Sequence, residues 1–363
     1  MRRWAISNPH GPQGNRNWTP VDEGWINILR QAGESTFDSR TVPASAKSGW
    51  VGARKWSVGV LYRIALLLAA SLMVGATTPS SAEGTGRLDK LRSLGQISLG
   101  FPDASPPFGF LDGDAKPMGY SVEICEHVAE KLKVGLGLPK LEIRHVPVMS
   151  ATRIPLINNG TIDLECGTAS NLAERHKLVA FAPTTFVAQV VLTARKDTPV
   201  DVNDLASFRG KAISAQAGGE TQRVATRINV RDKLDLRIMP AKDTGEVFLL
   251  LASGRAAGMI NDDALAHATV AGAKDPSEYK IGDKGLEFSP YGILEPKDDP
   301  DFKAAVDKAV IELIQDGTVA RLYTKYFQAP LPPKGINLDL PMSDVLKRAL
   351  AKPTDSGDEA DYK

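Results

Sequence analysis

The feature that most constrains the fold is a repeated alternation of short apolar strands with helices, beginning at about Leu88. Strands are predicted at 96–101, 141–148, 163–166, 186–194, 212–215, 236–239 and 258–261. Helices are predicted at 121–138, from 221, at 301–316 and at 319–327. Alternation of this kind is typical of mostly parallel sheets covered by helices. We therefore predict an α/β fold, followed by a polar tail that is disordered from about Lys352.

The bulk properties favour a two-lobed binding or catalytic protein and argue against several other classes. The chain has 363 residues, which is long for one core and suggests two lobes. Its formal net charge is +1, so nothing indicates a nucleic-acid partner. Two cysteines and five scattered histidines do not predict a metal site, and we expect none. No Walker loop, dinucleotide fingerprint or nucleophile elbow is present, and we expect no cofactor.

The segment at 54–82 has the three parts of a secretory signal peptide. Arg54, Lys55 and Arg63 are basic, residues 64–74 (IALLLAASLMV) form an apolar run, and small residues follow up to Ala82. A membrane-spanning helix is the alternative, but it needs about 20 apolar residues. We predict cleavage after Ala82 and export to a periplasm, without a lipid anchor, because no cysteine comes just after the apolar run. Residues 1–53 are then an upstream extension that reflects a misplaced start or an unusual leader.

Several polar segments carry the groups that a free amino acid needs. A cleft that binds this zwitterion must supply a guanidinium for the carboxylate, a carboxylate for the ammonium and an apolar wall. Candidates for these roles are Phe108, Ser150, Arg153, Thr168, Ser170, Arg175, Asp262 and Asp263. Each has an ordinary alternative, such as a helix cap for Ser150 and Asp263, a solvated arginine for Arg175 and a core position for Phe108.

The chain resembles the solute-binding proteins of polar amino acid ABC importers, and within them the glutamate/aspartate-binding proteins. The stretches that carry the resemblance are RIPLINNGTIDLECGTASNLAER (153–175), FAPTTF (181–186), AKDTGEVFLLLASGRAAGMINDDAL (241–265) and PKDDPDFK (296–303). The resemblance implies a two-lobed periplasmic binding protein fold (type II) with a two-strand hinge near 193–195 and 292–294. It assigns 86–192 and 293–335 to lobe 1, 193–292 to lobe 2 and 336–363 to the tail, with closure around the ligand.

The resemblance also implies roles for individual residues. Arg175 would bind the ligand α-carboxylate and Asp262 the α-ammonium. The remaining implied contacts are hydroxyls at Thr168, Ser170 and Thr221, the aromatic wall at Phe108, and side-chain contacts at Ser150, Arg153 and Thr244. We expect a monomer that delivers its ligand to the permease subunits of an ABC importer.

Three departures from the family pattern bear on selectivity. The family has His-Arg where this chain has Phe101-Pro102, and a histidine where this chain has Thr244. The family's Gly-Thr-Thr turn becomes Gly218-Gly219-Glu220-Thr221, so a hydroxyl there is offset or missing. With Arg153 as the retained cation, glutamate or aspartate is expected as the ligand. Glutamine, asparagine or another polar amino acid is the alternative.

Two further expectations concern the cysteines and catalysis. Cys125 and Cys166 both fall in the implied lobe 1, and an oxidising periplasm favours a disulfide between them. Two buried free thiols are the alternative. A dehydratase on the same fold is a rival function, because Glu220 could face the ligand as an acid–base group. No partner that would activate Glu220 is visible, and we expect a receptor rather than an enzyme.

Export can be tested through tryptophan, because all five tryptophans lie at or before Trp56. With cleavage after Ala82, the mature protein begins near Glu83 and contains none. We expect periplasmic material to show only tyrosine emission, measured by near-ultraviolet fluorescence and checked by intact mass. Clear tryptophan emission from that material would contradict the predicted cleavage.

Overall fold

The computed structural model describes residues 86–332 and 335–362. The helices in this part are α1 Arg87–Leu94, α2 Tyr120–Gly135, α3 Arg153–Asn158, α4 Glu220–Asp232, α5 Thr244–Ala252, α6 Asp263–Ala271, α7 Pro300–Gln315, α8 Thr318–Phe327 and α9 Asp344–Ala351. The strands are β1 Gln96–Phe101, β2 Ala104–Ser105, β3 Gly109–Leu111, β4 Pro117–Met118, β5 Glu142–Pro147, β6 Leu164–Glu165, β7 Ala180–Phe181, β8 Phe186–Arg195, β9 Ala212–Gln216, β10 Arg237–Ala241, β11 Gly258–Asp262, β12 Tyr279–Ile281, β13 Phe288–Tyr291 and β14 Leu294–Glu295. The predicted signal peptide, its cleavage site and the upstream extension lie outside the described residues.

The first sheet has the strand order β5-β1-β6-β14-β7 and forms the centre of lobe 1. Strand β1 runs parallel to β5 and β6, whereas β14 is antiparallel to β6 and β7. Helices α2, α7 and α8 pack on this sheet through buried apolar side chains. Because parallel strands end at the same edge, this arrangement brings the segments that follow β5 and β6 together.

The second sheet has the order β10-β9-β11-β8-β12 and forms the centre of lobe 2. Strands β9, β10 and β11 are parallel to one another, and β8 is antiparallel to β11. Helices α4, α5 and α6 follow β9, β10 and β11, so three helix N-termini lie at the same edge. The predicted α/β class and the two-lobed architecture are confirmed.

Strands β8 and β13 connect the two sheets, and their pairing refines the predicted hinge. Residues 186–189 of β8 pair antiparallel with 288–291 of β13. Further along β8, Thr193 pairs with Met259 inside the second sheet, while Leu294 pairs with Phe181 inside the first. We therefore propose that the chain passes between the lobes at 186–189 and 288–291. These residues precede the predicted hinge at 193–195 and 292–294. Strand β8 is mostly apolar on both sides of the crossing, so its composition does not mark where the crossing lies.

The prediction of a disordered tail from Lys352 is wrong. Tyr362 is buried, and its hydroxyl lies 2.8 Å from the Thr184 hydroxyl. The Thr184 amide donates to the Thr354 carbonyl, and the Asn171 side chain donates to the Asp355 carbonyl. Backbone hydrogen bonds and one aromatic anchor therefore hold a polar segment that contains little apolar surface, which an average over composition does not detect.

The predicted disulfide between Cys125 and Cys166 is confirmed. The bond joins α2 to the residue after β6, across a sequence separation of 41. Both cysteines are fully buried in the core of lobe 1. The bond therefore fixes the helix that covers the first sheet to the segment that leads into the implied ligand contacts.

Among the described residues, no helix has the length and apolarity needed to cross a membrane.

Removal of the disulfide should lower stability without changing the fold. A loop of about 40 residues corresponds to about 4 kcal/mol in the chain-entropy account of disulfides. We expect Cys125→Ala with Cys166→Ala to lose free energy of unfolding of that order, measured by chemical denaturation. The denatured, unreduced wild-type protein should show no free thiol, and two titratable thiols would contradict the bond.

Candidate ligand-binding site

The two lobes are in contact across a cleft that separates the ends of their sheets. Arg223 on α4 of lobe 2 lies 3.2 Å from Glu174 of lobe 1. Gly218 adopts a left-handed conformation with φ of 69°, and a Cβ there would lie 3.0 Å from Ala151 Cα. A side chain at 218 would hold the lobes apart, so glycine allows this close approach. The structure is therefore a closed form.

Asp262 provides a buried carboxylate in the cleft. It ends β11 and precedes α6, but its side chain makes no capping hydrogen bond. The Tyr291 hydroxyl donates to Asp262 Oδ2 at 2.5 Å, whereas Oδ1 has no hydrogen-bond partner. Burial raises the pKa of Asp262 to about 7, against the lowering effect of the Tyr291 bond. An ammonium group would satisfy Oδ1 and restore the ionised form.

Arg175 lies in a short 3-10 helix, Arg175–Lys177, after the segment that follows β6. Its guanidinium donates to the Ser170 carbonyl at 2.9 Å, which orients the fork. The Ser170 hydroxyl in turn accepts from Ser289 at 2.9 Å. Burial, together with the positive charge of Arg153, lowers the pKa of Arg175 to about 10, so the group remains a cation at neutral pH. A ligand carboxylate is the natural partner of this guanidinium.

Arg153 and Glu165 form a second charged pair in lobe 1. Arg153 begins α3 and is almost fully buried, and its guanidinium Nη1 lies 3.7 Å from Glu165 Oε1. Glu165 ends β6 and is also buried, and its Oε2 has no hydrogen-bond partner. Burial raises the pKa of Glu165, and the charges of Arg153 and Arg175 oppose that rise.

Lobe 2 contributes hydroxyls from two helix N-termini. Thr221 lies in the first turn of α4 and Thr244 begins α5, and both side chains are buried. The Thr244 hydroxyl has no hydrogen-bond partner. Glu220, which precedes Thr221, accepts two hydrogen bonds from Arg223, at 2.6 and 2.8 Å. The negative charge of Glu220 is therefore offset by Arg223 within α4.

The remaining predicted contacts have different surroundings. Phe108 is fully buried between the rings of Phe186, Tyr291 and Phe327, so it is a core residue beside the tyrosine that holds Asp262. Thr168 is buried and Ser150 is half-buried. The N-cap of α3 is Thr152, so the alternative role of Ser150 as that cap is wrong. The ligand contacts of Phe108, Thr168 and Ser150 stay predictions.

Three residues of the cleft were not identified from the sequence as site groups. Tyr291 lies in β13 and looks like an ordinary core aromatic in FSPYGIL (288–294). Glu165 lies in the stretch 153–175 that carries the family resemblance, and Arg223 lies in the helix predicted from 221, but neither was assigned a role in the site. Charged and aromatic residues beside glycines, as in LECG (164–167), are the one signal that could have directed attention to Glu165.

The site can hold a zwitterion without a metal. The carboxylate of Asp262 is buried and the cation Arg175 is half-buried, and burial shifts the pKa of both groups. No group of three or more metal-ligating side chains occurs among residues 86–332 and 335–362. The arrangement is suited to binding a small molecule that carries both charges.

The sequence matches the family described as bacterial extracellular solute-binding proteins, family 3, over residues 97–329. The chain belongs to this family. The L-glutamate/L-aspartate-binding protein of Pseudomonas aeruginosa is 40% identical over 301 residues, which cover 82% of this chain and 99% of that protein. The glutamate/aspartate import solute-binding protein of Escherichia coli is 35% identical over 292 residues, or 80% of this chain and 95% of that protein.

Solved structures of amino acid-binding proteins have the same architecture. A mutant of ArgBP from T. maritima is 25% identical with a TM-score of 0.60, covering 66% of this chain and 99% of its own. An ancestral arginine-binding protein bound to arginine is 27% identical with a TM-score of 0.57, covering 64% and 98% of the two chains. The resemblance inferred from the sequence blocks is therefore confirmed at the level of family and fold.

The carboxylate of Asp262 should make amino acid binding depend on pH. An ammonium binds the ionised form, whereas a pKa of about 7 means that protons compete for it. We expect affinity to fall, by up to about tenfold per pH unit, as pH drops below about 7. Tyr291→Phe removes a bond that favours the ionised form, so the fall should begin at higher pH. Calorimetric titration across pH measures both effects.

Tyr326→Phe is the matched control, because Tyr326 is buried in lobe 1 and its hydroxyl contacts Glu123 and Gly119 instead. Its pH profile should equal that of the wild type. Identical profiles for Tyr291→Phe and the wild type would show that the Tyr291 bond does not favour ionised Asp262. A wild-type affinity that does not change with pH would contradict binding of the ammonium by Asp262.

Proposed function

We propose that this protein is a periplasmic receptor that binds glutamate or aspartate and delivers it to an ABC importer. Relatives named as glutamate/aspartate-binding proteins match at 35–40% identity over most of both chains. Matches named for glutamine, such as the glutamine-binding protein of Geobacillus stearothermophilus, are less similar, at 27% identity. Glutamine and asparagine are therefore the alternative ligands.

The observation that carries the proposal is the buried Asp262 carboxylate with one oxygen unpartnered, in the same closed cleft as Arg175. An unpartnered buried carboxylate oxygen costs free energy, because it has lost water without gaining a donor. A bound α-amino acid supplies that donor through its ammonium and gives Arg175 a carboxylate. Both requirements are met by one small molecule, and they do not depend on its side chain.

The residues of the candidate cleft support binding rather than catalysis. Glu220 was the candidate acid–base group, but Arg223 engages both of its carboxylate oxygens. A carboxylate with both oxygens engaged by a guanidinium is poorly placed to accept a proton from a ligand. We therefore propose a receptor that works as a monomer, closes by movement of the two lobes about β8 and β13, and reopens at the permease.

The proposal is tested by calorimetric titration of the mature protein with each of the twenty amino acids. We expect glutamate or aspartate among the ligands that bind. Absence of binding by every amino acid would contradict the proposed function. Product analysis by NMR after prolonged incubation should return the ligand unchanged, and turnover would establish an enzyme.

The two charged groups give the sharpest mutational test. Removal of either one leaves the opposite charge of the ligand desolvated without a partner, at a cost of about 2–5 kcal/mol. We expect Arg175→Ala and Asp262→Ala each to lower affinity by about a hundredfold or more. Arg144→Ala and Asp301→Ala are matched controls at exposed positions of lobe 1 and should bind as the wild type does. Unchanged affinity in either cleft variant would contradict the assigned ligand placement.

A further inference from the structure

Glu165 is a buried carboxylate in lobe 1 whose second oxygen has no partner. Its side chain is 1% exposed, and Oε2 makes no hydrogen bond. The first oxygen, Oε1, lies 3.7 Å from the Arg153 guanidinium and is close to the position that a Cβ on Gly167 would occupy. A buried carboxylate normally accepts several hydrogen bonds. The unpartnered Oε2 of Glu165 therefore indicates that a donor outside the protein chain supplies the missing hydrogen bond.

The surroundings of Glu165 offer few other donors. Pro102 lies beside Gly167, and proline has neither a side-chain donor nor a backbone N–H. The charged groups that act on the Glu165 carboxyl are Arg153 from α3 and Arg175 from the 3-10 helix. Strand β1, on one side of β6, carries no charged residue, and Glu295 on β14, on the other side, pairs with Lys303.

Glu165 offsets the charge of Arg153, the cation that the family resemblance assigns to the ligand side chain. A guanidinium beside a carboxylate presents both donors and an acceptor. An amide side chain matches this pair, because its oxygen accepts from Arg153 and its NH₂ group donates to Glu165. A carboxylate side chain matches Arg153 alone, and its second oxygen then faces an anion. Two carboxylates in one buried site are not both ionised without a large cost.

We propose that Glu165 determines side-chain selectivity by its protonation state. This inference rests on the proposed function and adds the substrate class: ionised Glu165 accepts from an amide, and protonated Glu165 donates to a carboxylate. Binding of an acidic amino acid therefore takes one proton from solvent onto a Glu165 oxygen, which forms an O–H bond. Binding of an amide takes none. The same site admits both classes of ligand, in proportions that depend on pH.

Burial of Glu165 supports this proposal, because it raises the pKa of the carboxyl and so reduces the cost of adding the proton. Asp262 also titrates in the neutral range, but it contacts the ammonium, which acids and amides share. Its effect therefore cancels in the ratio of the dissociation constants of glutamate and glutamine. The ratio therefore reports on Glu165, the group that is proposed to contact the ligand side chain.

The test is calorimetric titration with glutamate, glutamine, aspartate and asparagine between about pH 6 and pH 8, where the free acids stay ionised. We expect the ratio of acid to amide dissociation constants to rise with pH by up to about tenfold per unit. Titrations in buffers of different ionisation enthalpy should show that the acids take up more protons than the amides, by up to about one proton, because the proton released from Asp262 is common to both classes.

Glu165→Gln should make the ratio independent of pH and shift it toward the acid, by about tenfold or more at the upper pH. Glu295→Gln is the matched control, since Glu295 is equally buried on the next strand, also has an unpartnered oxygen, and lies outside the proposed ligand contacts. This variant should keep the pH dependence of the wild type. Proton uptake by the wild type tests the proposal even if Glu165→Gln does not fold.

Binding of both classes with a constant ratio and with equal proton uptake would overturn the role of Glu165 and leave the proposed function intact. Failure of all four ligands to bind at any pH would instead contradict the proposed function. Loss of pH dependence in Glu295→Gln as well as in Glu165→Gln would also overturn the proposal, because the effect would not belong to the ligand site.

Discussion

The hydrogen bond from Tyr291 to Asp262 is the interaction on which the site depends. Asp262 ends β11 in lobe 2, and Tyr291 belongs to β13, which pairs with β8 where the strands pass between the sheets. The bond therefore fixes the buried Asp262 carboxylate to the connection between the lobes. It satisfies one oxygen and leaves the other buried without a hydrogen-bond partner, which costs free energy unless a donor is supplied.

The remaining charges of the cleft come from lobe 1, and their positions follow from the parallel sheet. Arg153 follows β5, and both Glu165 and the segment to Arg175 come from β6 and the residues after it. Because β5, β1 and β6 are parallel, these groups meet at the carboxyl edge of the sheet. The disulfide at Cys166 anchors this segment to α2. A charge cluster in lobe 1 thus lies within electrostatic range of the Asp262 carboxylate of lobe 2.

How much was predictable differs from one feature to another. The α/β class, the disulfide and the family were predicted, because strand–helix alternation and long sequence blocks are local signals. The crossing point of β8 was not, since an apolar strand shared by two sheets has no boundary in its composition. The tail was predicted wrongly, because Tyr362 is a single apolar anchor. Glu165 was missed because the feature that distinguishes it, a buried Oε2 without a hydrogen-bond partner, is visible only in the fold.

Glu220 illustrates how the chain accommodates a departure from the family pattern. A carboxylate at the start of α4 replaces a hydroxyl and would repel the α-carboxylate of a ligand bound at Arg175. Arg223, one helical turn later, donates to both Glu220 oxygens and so offsets part of that repulsion. The same guanidinium reaches Glu174 of lobe 1, but both side chains are substantially exposed, so this bridge contributes less than about 1 kcal/mol. The main effect of Arg223 is therefore on the charge inside the cleft rather than on closure.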